Sequence, residues 1–315
     1  MDANFLTRAF QRRSLLKAGA LLGFTAATAA RADEGVKGSA APPESRFFDE
    51  SWAGQDSKIT VERRDHVVLL GINRPEADNR IDPDTYNRLA EAYYRYEHDP
   101  TLRAAVLFGH GDHFSRGIDV AAFEPLIISG GGLPKSTSAI EPFGKTKPRL
   151  TKPVVVVAHG DALNIGHELC LSADIRVAAA NAKFAQTENT QARMPASGAT
   201  VRFVREAGWG QAMRYLLTGQ SWGAEDAKRM GLFQNIAPTP EAALALGIEI
   251  ATQIAACAPM SIRATLASAH LVIDEDEERA LSALITQRRS LYETEDFKEG
   301  VRARAENRPP NFQDR

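Results

Sequence analysis

Val154 to Asp174 reads VVVVAHGDALNIGHELCLSAD, and this stretch decides the fold. Val154 to Ala158 is a short, continuous, β-branched run, the pattern of a strand buried on both faces. Gly160 breaks it. From Ile165 or Gly166 onward, HELCLSA spaces its leucines and alanine as a helix does. A strand that turns sharply into a helix leaves backbone N–H groups without partners at the positive end of the helix dipole. Such a turn suits a developing oxyanion. Glu168 falls in the first turn of that helix, where an acid also favours the dipole for purely structural reasons.

Reading outward, Asp174 to Ala179 (DIRVAA) predicts another strand, followed by NAKFAQTE and a second acid, Glu188, twenty residues after Glu168. On the N-terminal side, Ile59–Val61 and Val67–Ile72 read as paired strands. Pro83 to Tyr96 has helical spacing with Leu89, Ala92 and Tyr93 on one face, and Ala104 to Phe108 is a further buried strand. Helices are expected from Gly208 to Leu217 and from Ala224 to Met230, the second ended by Gly231. Residues 241–305 carry helical patterning throughout and no strand signal. The stretch 124–152 is the least regular, and Gly130-Gly131-Gly132 opposes a helix there.

Six pieces in this order carry a resemblance: INRPEADNRI (72–81), AAVLFGHGDHFSRGIDVAAF (104–123), KPVVVVAHGDALNIGHELCLSADIRVAAANAKFAQTE (152–188), MPASGATVRF (194–203), GWGQAMRYLLTGQSWGAEDAKRMGLFQNI (208–236) and EGVRARAENRPPNF (299–312). Together the chain resembles the crotonase superfamily, the enoyl-CoA hydratases and isomerases. The resemblance implies an α/β spiral of ββα repeats over residues 58–240. A C-terminal helical region over 241–315 would follow, through which relatives assemble as trimers or pairs of trimers. It also implies a small acyl-CoA or related carbonyl substrate, with coenzyme A arriving as part of that substrate and no separate cofactor or metal.

Residue by residue, Phe114 to Asp119 (FSRGID) resembles the family turn in which the residue after glycine gives one backbone N–H to the thioester oxygen. That residue is Ile118, with Arg116, Gly117 and Asp119 beside it. The second donor lies three residues before the first glutamate, at Ile165, with Gly166 next to it. Each such donor is commonly worth about 2.7–4 kcal/mol in the transition state. Hydratases usually carry consecutive glycines where this chain has Asn164-Ile165-Gly166, so two side chains are expected to crowd the thioester.

Glu168 and Glu188 occupy both catalytic glutamate positions. Adding water across an α,β-double bond needs a base for the water and an acid for Cα. Two nearby carboxyls whose proton affinities are pushed apart supply both, and they titrate as a unit. Ala77, Asn79 and Arg80 match the loop that holds coenzyme A. Glu76 stands where relatives often have lysine, and Arg80 or Arg116 would offset its charge. His167 neighbours Glu168 on the helix but does not share its face, which gives it a supporting or surface role. His110 and His113 have no metal-ligand spacing. Cys170 reads as buried packing, and nothing in the spacing pairs it with Cys257.

Residues 1–32 stand apart. Arg12-Arg13 followed by SLLK, an apolar run from Ala18 to Ala30 and an Ala30-Arg31-Ala32 site resemble a twin-arginine export signal. The apolar run is too short to span a bilayer comfortably, and an uncleaved amphipathic or anchoring helix is the alternative reading. Residues 33–57 read as a linker, with Phe47, Phe48 and Trp52 available to dock on the body. The expectation is a periplasmic protein, with the cytoplasm as the alternative because acyl-CoA thioesters are made there. The composition is ordinary at 43% hydrophobic and 25% charged with a net charge of −2, which gives no nucleic-acid surface. Two further readings keep the same fold: a coenzyme A-independent C–C hydrolase of β-diketones, and a non-catalytic acyl-ligand binding protein.

Overall fold

The computed structural model describes Phe48, residues 57–129 and residues 138–315. The leader expected at 1–32, Phe47, Trp52 and Gly130 to Gly132 lie outside them. Phe48 packs against the core.

Strands β1 (Ile59–Arg64) and β2 (Val67–Ile72) precede helix α1 (Pro83–His98), strand β3 (Ala104–Gly109) and helix α2 (Val120–Ile128). Then come β4 (Val154–Ala158), β5 (Asp161–Leu163), α3 (Ile165–Ser172), β6 (Ile175–Ala179) and β7 (Lys183–Ala185). Helices α4 (Ala199–Ala207) and α5 (Trp209–Thr218), strand β8 (Trp222–Gly223), helix α6 (Ala224–Arg229) and strand β9 (Asn235–Ala237) follow. Four helices end the chain: α7 (Pro240–Ala255), α8 (Pro259–Asp274), α9 (Glu277–Tyr292) and α10 (Glu295–Ala305).

The larger sheet has the order β1-β2-β3-β4-β6-β9. Only β1 and β2 pair antiparallel; the other neighbours are parallel. Every residue of β2 and of β4 is buried, as a parallel sheet covered on both faces requires. Alternate residues divide between those faces. Val68, Leu70, Leu107 and Val156 join the cluster that includes Leu89, Tyr93 and Tyr96 of α1. Val67, Leu69, Val106, Val155 and Val157 join a second cluster with Ala243, Ala251 and Ala255 of α7. Helix α1 starts where the sequence dictates: Pro83 occupies the first turn and Asp82 caps it, its side chain accepting from Thr85 N–H at 2.7 Å.

A smaller sheet, β5-β7-β8, positions the site. Strand β5 runs parallel to β7 with Leu163 opposite Ala185. The chain therefore leaves both strands at the same edge, towards Ile165 in one case and Glu188 in the other. Two isolated parallel bridges extend this layer, Ser115 with Ala162 and Ile81 with Ile118. The irregular stretch begins later than expected, since α2 continues to Ile128; residues 138–152 contain neither helix nor strand. Among the described residues no single helix is long and apolar enough to cross a membrane.

Candidate active site

Ile81 N–H donates to Gly117 O at 2.8 Å, and Asp119 N–H donates to Ile81 O at 2.9 Å. Bonds to residues 117 and 119 turn the N–H of residue 118 away from that bridge, and among the described residues Ile118 N–H has no acceptor. Gly117 makes the turn at φ 102°, and a methyl group there would lie 3.3 Å from both Asn164 Cβ and Leu163 O. The turn before Ile118 and the turn before Ile165 are thus in van der Waals contact. As the first residue of α3, Ile165 has no intrahelical acceptor. Its N–H donates to no other described group either. Two free main-chain donors therefore flank one small region, the arrangement that stabilises an oxyanion.

Gly166 is held against the same layer. A Cβ at this position would lie 2.6 Å from Ser115 O and 3.0 Å from Ser115 Cβ, so the close approach of α3 to the FSRGID turn requires glycine. The two side chains expected to crowd the thioester, Asn164 and Ile165, both have partners within the protein. The Ile165 side chain packs on the core, and the Asn164 carboxamide turns to Thr187, accepting from its N–H at 2.7 Å and its hydroxyl at 3.0 Å. Asn164 itself sits at φ 53°, ψ −119°, a backbone state that costs a non-glycine residue about 1–3 kcal/mol.

Glu168 and Glu188 are both buried, at 2% and 7% exposure, deep enough for their environment to set their charge. Glu168 Oε1 accepts two backbone hydrogen bonds, from Ser197 N–H at 2.7 Å and Ala199 N–H at 3.0 Å. Burial raises its pKa, and those two N–H groups with the charges of Lys145 and Arg202 work against the rise. Glu188 stands at the start of a 3-10 turn, Glu188–Gln191. Burial pushes its carboxyl up to about 7, with the negative charge of Glu168 adding to the effect. Glu188 Oε2 is buried without a hydrogen-bond partner. Glu168 is thus solvated by two main-chain N–H groups and Glu188 by its own N–H alone, with Oε2 unpartnered, so Glu188 is the carboxyl poised to keep a proton towards neutrality.

The remaining predicted residues surround this centre. Pro75 to Ala77 form a 3-10 turn, and Asp78 and Asn79 follow in left-handed conformations. Asn79 is fully buried and structural, accepting from Arg74 N–H and donating to the carbonyls of His110 and His113. The cations expected to offset Glu76 are engaged elsewhere: Arg80 lies 3.6 Å from Asp78, and Arg116 pairs with Asp78 at 3.1 Å and Asp161 at 3.0 Å. Arg74, which the sequence reading passed over, lies 3.4 Å from Asp119, and its guanidinium also donates to Arg80 O. Asp119 in turn accepts from Ala122 N–H at the start of α2.

His167 is fully buried, not on the surface, and meets Phe184, Phe203 and Trp222. Burial lowers its pKa to about 3, so the ring is neutral. Its Nδ1 lies 2.8 Å from Gln186 Nε2. Gln186 Nε2 also donates to Asn164 O. Cys170 is buried and Cys257 exposed, and both are free thiols. No cluster of metal-ligating side chains occurs among the described residues. Sequence reasoning missed Ser197 and Ala199 because they act through main-chain N–H groups; the one signal was a glycine, Gly198, between them.

Known proteins are similar to this chain along most of its length. The family described as enoyl-CoA hydratase/isomerase matches residues 62–315. An enoyl-CoA hydratase of Mycobacterium tuberculosis is 35% identical over 257 residues, covering 81% of this chain and 96% of its own. The (E)-benzylidenesuccinyl-CoA hydratase of Thauera aromatica is 34% identical over 260 residues, covering 81% and 98%. Among solved structures, a probable enoyl-CoA hydratase/isomerase from Mycobacterium abscessus superposes with a TM-score of 0.80 at 38% identity, covering 82% of this chain and 99% of that one.

Proposed function

This chain belongs to the enoyl-CoA hydratase/isomerase family, and from that premise we propose how its own residues divide the reaction. The protein is a hydro-lyase of the enoyl-CoA hydratase type and needs no cofactor besides the coenzyme A of its substrate. The N–H groups of Ile118 and Ile165 bind the thioester oxygen and stabilise the enolate. Glu168, solvated by Ser197 and Ala199 N–H, is the carboxylate that takes a proton from water as its oxygen adds to Cβ. Glu188, whose buried carboxyl keeps a proton up to about pH 7, gives its proton to Cα. The observation that carries this division is the unequal environment of the two carboxyls: two N–H donors on Glu168 Oε1, none on the buried Glu188 Oε2.

The loop around Ala77, Asn79 and Arg80, with Arg116, Gly117 and Asp119 beside it, is the proposed coenzyme A side of the site, acting through its main chain. Hydration of crotonyl-CoA, followed at the loss of the enoyl absorbance, tests the reading. No turnover across a range of acyl lengths overturns it.

Assembly as a trimer or a pair of trimers is the proposed oligomeric state. Its support is the exposed apolar side chains on the C-terminal helices: Val272 and Ile273 on α8, Leu281, Leu284 and Ile285 on α9, Val301 on α10. The proposed location is the periplasm, reached through a twin-arginine leader. Its support is the RRSLLK motif and apolar run, in a segment that precedes the family match beginning at residue 62.

A further inference from the structure

Asn164 occupies a backbone state that glycine enters freely. Asparagine tolerates positive φ chiefly in the left-handed helical well, where ψ is about +47°, whereas ψ here is −119°. Something must hold it there, and five hydrogen bonds converge on this one residue. Its N–H donates to Ala185 O at 2.8 Å. Its carbonyl accepts from Glu168 N–H at 3.0 Å and Gln186 Nε2 at 3.2 Å. Its carboxamide oxygen accepts twice from Thr187, N–H and hydroxyl. Three of its four partner residues form the segment Ala185-Gln186-Thr187 that runs into Glu188; the fourth is Glu168 itself.

A trans peptide directs its C=O and N–H in opposite senses. Two donors on the Asn164 carbonyl therefore also fix the direction of the Ile165 N–H. The carboxamide on the same residue fixes Thr187, and with it the entry to the turn that carries Glu188. His167 braces the arrangement from behind through Gln186.

We infer that Asn164 is a positioning residue, which sets the aim of the Ile165 N–H and the place of the Glu188 carboxyl as one unit; the inference rests on the hydratase reading above. The alternative is an asparagine merely tolerated at a glycine position.

Asn164→Gly separates the two, because it relieves the backbone and removes the link to Thr187. The expected result is a kcat for crotonyl-CoA lower by about 10- to 100-fold, the scale of a misplaced reacting group, with KM within about threefold. The red shift of a bound aryl-acryloyl-CoA, which reports carbonyl polarisation by the amide pair, is expected to shrink. An Asn164→Gly enzyme with parental kcat and an undiminished red shift overturns the inference and leaves the hydratase reading standing. A parent enzyme with neither turnover nor red shift overturns both.

Asn164→Asp is the second variant. It keeps the acceptor for Thr187 but adds a negative charge on the Thr187 N–H, one residue before Glu188 in the chain. Since Glu188 acts protonated, the alkaline limb of the kcat profile is expected to move up by about one pH unit. An unmoved limb, with kcat at the parental level, overturns the coupling to Glu188.

Discussion

Replacing Glu188 by Gln is expected to abolish hydration and, at the same time, to stabilise the fold in alkaline solution. The sign follows from the direction of the pKa shift. The carboxyl rises from its ordinary 4.5 to about 7 in the folded chain, mainly through burial. Below about 4.5 both folded and unfolded chains hold this proton, so Glu188 costs nothing. Between 4.5 and 7 the unfolded chain releases the proton first, and stability falls as pH rises; above 7 the full penalty of a buried carboxylate is present. At about 1.36 kcal/mol per pH unit that interval sets a ceiling of ~3 kcal/mol, and solvent screening in a site open to substrate reduces it to ~1–2 kcal/mol. Glutamine never ionises and keeps the shape. Glu188→Gln should therefore melt with the parent at pH 4.5 and about 2–4 °C above it at pH 8.5, by the usual scaling for a chain of this size. Crotonyl-CoA hydration should fall by about 10²- to 10⁴-fold, as for loss of a general acid. Calorimetric melts across the pH range check the first claim and enoyl absorbance the second. A melting difference that does not change with pH, or a variant less stable than the parent at pH 8.5, refutes the assignment of the proton to Glu188.

Gly166→Ala forces a methyl group to within 2.6 Å of Ser115 O. It should cost ~1–3 kcal/mol by overpacking and depress kcat through the adjacent Ile165 N–H; thermal melts and crotonyl-CoA assays of the same preparation check both. Paired Leu284→Asp and Ile285→Asp changes on the exposed face of α9 should convert the proposed trimer to monomer, read by light scattering on a sizing column; a monomeric parent, or an unchanged mass, refutes that interface. Under the proposed twin-arginine export, paired Arg12→Lys and Arg13→Lys changes should retain an uncleaved precursor in the cytoplasm, read by fractionation and intact mass; a parent chain found unprocessed in the cytoplasm refutes the export.

What was legible in the sequence was whatever side chains encode by periodicity. The short apolar, β-branched run of β4 reads as a strand covered on both faces, and the spacing of Leu89, Ala92 and Tyr93 after Pro83 reads as one face of a helix. The meeting of Glu168 and Glu188 was not legible in that way. It depends on β5 and β7, strands of three residues each (DAL and KFA) that carry no periodic signal. Their parallel register, Leu163 against Ala185, brings the two turns to one edge, and only the resemblance anticipated it. The donors on Glu168 were invisible for a different reason: a main-chain N–H is present whatever residue bears it.

That same indifference explains why Asn164 and Ile165 are compatible with a site that resembles one usually lined with glycine. The function asked of these positions is a backbone direction, and a side chain is tolerated if it can be turned elsewhere. Ile165 turns its chain into the core, which offsets its bulk by burial. Asn164 turns its carboxamide to Thr187 and thereby replaces glycine's conformational freedom with a fixed set of hydrogen bonds. A glycine at 164 would reach the required φ and ψ without strain, yet would also leave them freely. An asparagine held from five directions is strained and immobile. Where the transition state needs an N–H aimed in advance, immobility is the more useful of the two properties.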